Sequence, residues 1–180
     1  VKKRFLLFLL TLTVFIGACN AKVATEASEA DPVKGTVMRY NQLVSEGYRK
    51  GDMNLMQEVT NHEQAEKLYF HMAAMGEGKL RMDSTLKDIK FVSVEFPKPD
   101  QATVETKETW DFTQVDIRTQ KKFAQEKDFI YQMGYLLKKS NGRWMVDSVT
   151  TIEGKSTNAV IPWPKTDRKG GAMPPDHGKQ

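Results

Sequence analysis

The stretch FIYQMGYLLKKSNGRWMVDSV, residues 129–149, decides the fold. Phe129, Tyr131, Met133, Tyr135 and Leu137 recur at every second position, so a strand turns all five to one face. Asn141-Gly142 follows, and both residue types accept the positive φ angles of a two-residue hairpin turn, so the chain must come back antiparallel. Trp144, Val146 and Ile152 share a face of the returning strand, and Trp144 is expected to be buried toward the first helix. Residues 101–114 alternate in the same way. Ala102, Val104, Trp110 and Phe112 lie on one side, and Thr103, Glu105, Lys107, Thr109 and Asp111 on the other. Residues 86–96 carry Ile89, Phe91, Val92, Val94 and Phe96, with a parity shift near Phe91 and Val92 that indicates a bulge. Pro97 to Asp100 makes the turn between them. The spacing predicts four strands, at 86–96, 101–114, 123–139 and 143–152.

The first half reads as helices. Asp31 is placed as N-cap, with Pro32 at the first helical position, where its missing N–H is harmless. Val33, Val37, Tyr40, Val44 and Tyr48 then form one apolar face, and Lys50-Gly51 is the stop. Asp52 is read as the cap of a short helix with Leu55, Met56 and Val59. Thr60 with Glu63 suggests a capping box opening a third helix, which Gly76 and Gly78 end. Helices first and strands afterwards make an α+β domain over 32–153, with N-terminal helices packed on a curved four-stranded antiparallel sheet.

This order resembles the NTF2-like (cystatin-like α+β cone) superfamily over about residues 33–152. The resemblance rests on Val33–Tyr48, on Ala102–Phe112, and on Tyr131-Gln132-Met133-Gly134-Tyr135-Leu136-Leu137 joined through Asn141-Gly142-Arg143-Trp144 to Met145-Val146-Asp147. It implies a sheet wrapped around the first helices to leave a conical pocket. The superfamily includes isomerases, dehydratases and polyketide cyclases as well as non-catalytic binding and assembly modules, so fold alone leaves function open.

The ends carry a different message. Lys2, Lys3 and Arg4 precede an apolar run from Phe5 to Ile16, which as a helix spans about 18 Å and falls short of a bilayer core of about 30 Å. That is the pattern of a secretory signal peptide, residues 1–18. Ile16-Gly17-Ala18-Cys19 resembles a bacterial lipobox, which implies cleavage before Cys19, acyl chains on that cysteine and attachment to membrane lipid; the alternative is an ordinary signal peptide with an incidental cysteine. Two or three chains hold a protein stably on a bilayer where one would not. The expected location is the cell envelope: the outer membrane facing the periplasm in a Gram-negative cell, since Asn20 is not the Asp that retains lipoproteins inside, or the outer face of the plasma membrane in a Gram-positive one. Residues 19–31 read as a flexible tether. Residues 154–180, rich in Pro, Gly and Lys, read as a mostly disordered tail, with Val160-Ile161-Pro162-Trp163-Pro164 as a strap on its own domain or a recognition segment.

Composition excludes several classes. Cys19 is the only cysteine, so an intrachain disulfide, a redox pair and a Cys-based zinc site are out. Three of the 27 Lys and Arg lie in residues 1–18, leaving 24 against 23 acidic residues, a net charge of +1. No basic face for nucleic acid stands out. Neither a cofactor nor a metal is expected: Met53, Met56, Met72 and Met75 read as core filler rather than soft-metal ligands.

One residue carries candidate chemistry. Glu108 shares strand parity with Val104 and Trp110, so it points into the pocket, where a desolvated carboxylate is a general-base candidate. A parity slip at a bulge, or a rim Glu paired with Lys, is the plainer reading and weighs more. Tyr40, Trp110, Tyr131 and Met133 are the expected pocket lining. His62 and His71 read as solvated, and Arg118 to Lys122 as a solvated hairpin tip. No second acid/base group is expected within reach of Glu108. A pocket filled by Trp110, Tyr131 and Met133 marks a binding module. An open, polar-based one, with His71, Asp111 or a tyrosine hydroxyl converging on Glu108, marks an enzyme. The sequence favours a membrane-anchored, non-catalytic module for a small apolar ligand or an envelope protein, with a homodimer through the open sheet face as one arrangement; the alternative is a small hydro-lyase or isomerase using Glu108.

Overall fold

The computed structural model describes residues 17–163 in backbone, with side chains from Ser28 onward. Residues 1–16 of the expected signal peptide and 164–180 of the expected tail lie outside the described residues. The order is α1 (Gly17–Lys50), a 3₁₀ turn (Asn54–Glu58), α2 (His62–Glu77), β1 (Leu80–Lys98), β2 (Gln101–Asp116), β3 (Lys122–Ser140), β4 (Arg143–Lys155) and β5 (Asn158–Ile161). The sheet runs β1-β2-β3-β4, all antiparallel, and β5 pairs with β3 beyond the end of β4. The α+β architecture of N-terminal helices on an antiparallel sheet is therefore as the periodicity indicates.

The helix starts differ from expectation. Asp31 is no N-cap: α1 begins at Gly17 and carries Pro32 in its interior. Residues 19–31, expected as a flexible tether, are helical. Alanine is the commonest residue there and favours helix, and Glu29 is held to the sheet by Lys139 Nζ at 2.7 Å and Trp144 Nε1 at 2.6 Å. Those bonds offset the backbone hydrogen bond that an interior proline forfeits. The end is as expected: Gly51, at φ +71°, donates its N–H to Gly47 O at 2.8 Å.

Asn61, not Thr60, caps α2. Its side chain accepts from Gln64 N at 2.8 Å and its amide donates to Asp147 Oδ1 at 2.9 Å. Thr60 is instead bridged to Val146 of β4, with its hydroxyl on Met56 O. The cap thus sits one residue later than the capping-box pattern suggests, because Thr60 is recruited to the sheet.

β2 and β3 alternate as read, but β4 does not: its register slips between Val146 and Ser148, so Val149 comes opposite Tyr135 and packs on the core, while Ile152, expected on the face of Trp144 and Val146, is exposed. Ala102, Val104, Thr106, Glu108 and Trp110 of β2 are all buried, as are Tyr135 and Leu137 of β3. Ala102, Val104, Tyr135 and Leu137 pack with Val33, Val37, Tyr40 and Leu43 of α1 and with Met56 of the 3₁₀ turn. The register slips between Phe91 and Ser93, leaving Val92 outside the ladder. Asn141 and Gly142 both take positive φ, 50° and 78°, as the hairpin requires. Trp144 is buried beneath α1, 5 % exposed. The folded part extends past the expected boundary at 153: β4 continues to Lys155, and β5 and Trp163 fold back on β3. A strap, one of the two readings of this segment, is what residues 158–163 form.

Candidate functional site

The α1 face and the concave side of the sheet leave a cavity of about 270 Å³. Glu108 and Tyr135 are its most deeply buried groups, while the exposed residues His71 and Thr151 mark its mouth. Tyr40, Trp110, Tyr131 and Met133 all line it without filling it.

Glu108 is 1 % exposed and accepts four hydrogen bonds. Oε1 takes Tyr135 OH at 2.6 Å, Thr106 Oγ1 at 2.8 Å and Asn41 Nδ2 at 3.1 Å. Oε2 takes only Trp110 Nε1, at 2.8 Å. Strand geometry explains two of these donors, since Thr106 and Trp110 are the neighbours of Glu108 on one pleat face. The register supplies the third, because Tyr135 lies opposite Val104 and reaches along the same face. Asn41 comes from α1. The expectation that no second titratable group reaches Glu108 is overturned by the Tyr135 hydroxyl. Asp111 does not converge: it faces outward and accepts the backbone N–H of Asp128 at 2.9 Å. His71 is not in hydrogen-bond contact with Glu108 either. Nor is it merely solvated, because its Nδ1 shares a 2.6 Å bond with Tyr48 OH.

The phenols around the cavity are held in their neutral form. Burial, reinforced by the Glu108 charge and its hydrogen bond, keeps Tyr135 well above the usual range. Burial likewise raises Tyr40, whose oxygen accepts from Gln64 Nε2 at 2.9 Å, and pushes Tyr48 up to about 12. Tyr131 is raised by burial and then by Glu126. Tyr135 is thus a hydrogen-bond donor at neutral pH. Its ring meets Tyr40 edge-on, 5.9 Å between centroids.

Sequence reasoning missed Asn41 and Tyr135 as site residues. Asn41 stands four residues after Val37 and three before Val44, so it lies on the apolar face of α1 and is 4 % exposed. A polar residue in that stripe, facing a strand with an inward Glu, was the available signal. Among the described residues, no group of three or more His, Cys, Asp or Glu side chains is placed to hold a metal ion, and no helix is long and apolar enough to cross a membrane. A larger open groove, about 660 Å³, runs between α1 and β1 past Arg39 and Arg49. It contains neither the buried carboxylate nor the aromatic wall, so the cone is the better-built site.

No protein-family model matches the chain, and no curated protein matches it. Solved structures do. The intermembrane space region of chloroplast protein ARC6 superposes with a TM-score of 0.58 at 16 % identity, over 71 % of this chain and 95 % of that one. A cystatin-like-fold protein of unknown function from Nostoc punctiforme aligns with a TM-score of 0.41 at 15 % identity, over 66 % of this chain and 88 % of that one. At such identities the first likeness shows a shared α+β fold, N-terminal helices on an antiparallel sheet, and leaves activity open.

Proposed function

We propose that the chain is a membrane-tethered, non-catalytic module that holds a small organic ligand in its cone, anchored through acyl groups on Cys19 in the cell envelope. The observation that carries the binding reading is the cavity itself: an aromatic-walled space with a few fixed polar groups at its base is how small-molecule sites are built. Its volume, about 270 Å³, suits a ligand at the small end of that class. The anchor rests on Ile16-Gly17-Ala18-Cys19, and its test is intact mass. Acylated protein starting at Cys19 is expected, with unprocessed chain from Cys19→Ser; wild-type protein lacking lipid would remove the anchor. For the cone, cyclohexanol and tert-butanol titrated into isotope-labelled protein are expected to shift the Trp110 indole N–H. Shifts absent from Trp110 and its neighbours with both probes would remove the ligand reading.

The Tyr135–Glu108 contact and the open, polar-based cavity favour a second reading, an isomerase or hydro-lyase. Against it, Tyr135 donates into the carboxylate, and three donors already occupy Oε1. His71, the titratable nitrogen among the described lining residues, is engaged with Tyr48 at the mouth. Hydrogen–deuterium exchange at the carbon beside the carbonyl of cyclohexanone decides between the two. Exchange above the buffer rate, removed by Glu108→Gln, would put the enzyme first.

A further inference from the structure

The ligand's charge can be read from what surrounds Glu108. Its carboxylate is 1 % exposed, yet all four of its partners are neutral groups: an amide, two hydroxyls and an indole N–H. Among the described residues no lysine or arginine lines the cavity. Buried charges are ordinarily paired with an opposite charge, and here the chain supplies none. Oε2 accepts a single bond and keeps acceptor capacity, since an ionised carboxylate offers about four lone-pair sites.

The walls complete the picture. Tyr40, Tyr48, Trp110, Phe112, Tyr131 and Tyr135 all border the cavity. Trp110 and Phe112 stack, with 13° between their planes, and Tyr131 stands at 80° to Phe112, so the rings form a corner rather than a flat wall. The electron-rich face of an aromatic ring attracts a cation, and aromatic cages are the recognised receptors for methylated ammonium groups. The phenols stay neutral to high pH, so the rings keep donating through their hydroxyls rather than adding charge of their own.

We infer that the cone takes a small organic cation, an amine or quaternary ammonium, seated between the aromatic corner and Glu108. This rests on the cone being a ligand site and goes on to fix the ligand's charge. The test compares choline with 3,3-dimethylbutan-1-ol, its uncharged isostere of nearly the same shape, by calorimetry or NMR titration of the intact chain. Choline is expected to bind about 10-fold tighter or more, the scale of a desolvated cation–π contact joined to a charge pair. Glu108→Gln should bring the two affinities within about 3-fold of each other, with the melting curve retained. Because Glu108→Gln disturbs a buried network, Tyr131→Leu is the second variant, expected to weaken choline while sparing the isostere. Equal or tighter binding of the isostere would overturn the cation and leave the ligand site standing. Binding of neither probe, where cyclohexanol or tert-butanol still shifts Trp110, would overturn it too. If no probe reaches the cone, the ligand reading itself falls.

Discussion

Glu108 and Glu126 are buried to the same degree, 1 % exposed each, in neighbouring strands of one sheet, yet they are satisfied by different kinds of structure. Donors to Glu108 come from α1, β2 and β3, elements that pack the core. Donors to Glu126 all come from the C-terminal segment: the Ser156 hydroxyl, Thr157 N at 3.2 Å and Trp163 Nε1 at 2.9 Å. The first carboxylate is built into the fold, so its environment persists as long as the domain does. The second depends on a strap that pairs with β3 through only three residue pairs, Gln125 with Ile161, Glu126 with Ala159 and Lys127 with Asn158. Burial alone therefore says little about a charged group; the origin of its donors says how securely it is held. Glu108 also borders the cone cavity.

The contrast is broken most forcefully from the core side. Trp144→Ala removes a buried ring and the indole that fixes Glu29, and is expected to cost about 3–5 kcal/mol in chemical denaturation. An unchanged midpoint would mean that α1 and the sheet are not joined there. The next effect belongs to the strap. Ending the chain at Lys155 strips Glu126 of all three donors, an expected loss of about 1–3 kcal/mol for an orphaned buried acceptor. Adding Glu126→Leu to the shortened chain should recover much of that loss, and failure to recover it would show that the strap acts through packing instead.

Tyr135→Phe removes one of four bonds to Glu108 and should cost about 1.5 kcal/mol, as expected for a bond to a charged group. Trp163→Phe removes one of three bonds to Glu126 at a site 39 % exposed, where water can take over, and should cost about 0.5 kcal/mol. Equal costs would erase the distinction. The smallest effect near neutrality grows with alkali. Four of the five tyrosines, Tyr40, Tyr48, Tyr131 and Tyr135, are raised in the folded state. A raised folded value gives stability that is complete below the unfolded phenol value of about 10 and is lost as pH rises toward the folded one. Absorbance titration should therefore show these phenols ionising together with unfolding, above the unfolded phenol value of about 10. Their ionisation near pH 10 in a still-folded chain would contradict the burial.

How much of this was legible in the sequence follows from which signals are local. Strand parity is local, so the inward set from Ala102 to Trp110 could be read directly, but for Glu108 the weightier reading, a bulge slip or a rim carboxylate paired with Lys, is overturned by its burial among four neutral donors. The Asn141-Gly142 turn and the bulge beside Val92 were legible for the same reason. Long-range satisfaction is not local. Asp31-Pro32 carries a sound start signal, but Glu29 finds Lys139 and Trp144 more than a hundred residues away, and those bonds carry the helix through it. Thr60 likewise loses the cap to Asn61 because β4 claims it. The Tyr135–Glu108 contact depends on register between β2 and β3, which no single strand announces.

The continuity of α1 bears on where the domain can go. In helix, the ten residue steps from Cys19 to Glu29 span about 15 Å, against about 33 Å for the same stretch extended. With acyl chains on Cys19, a slack leash would let the domain sweep a hemisphere above the bilayer. Under the anchoring proposed above, a strut would instead hold it at a shorter, more constant distance from the headgroups. The mouth of the cone would then stay at a more constant height above the membrane, and ligands would be sampled from the thin layer of solvent, or of lipid headgroups, at that height.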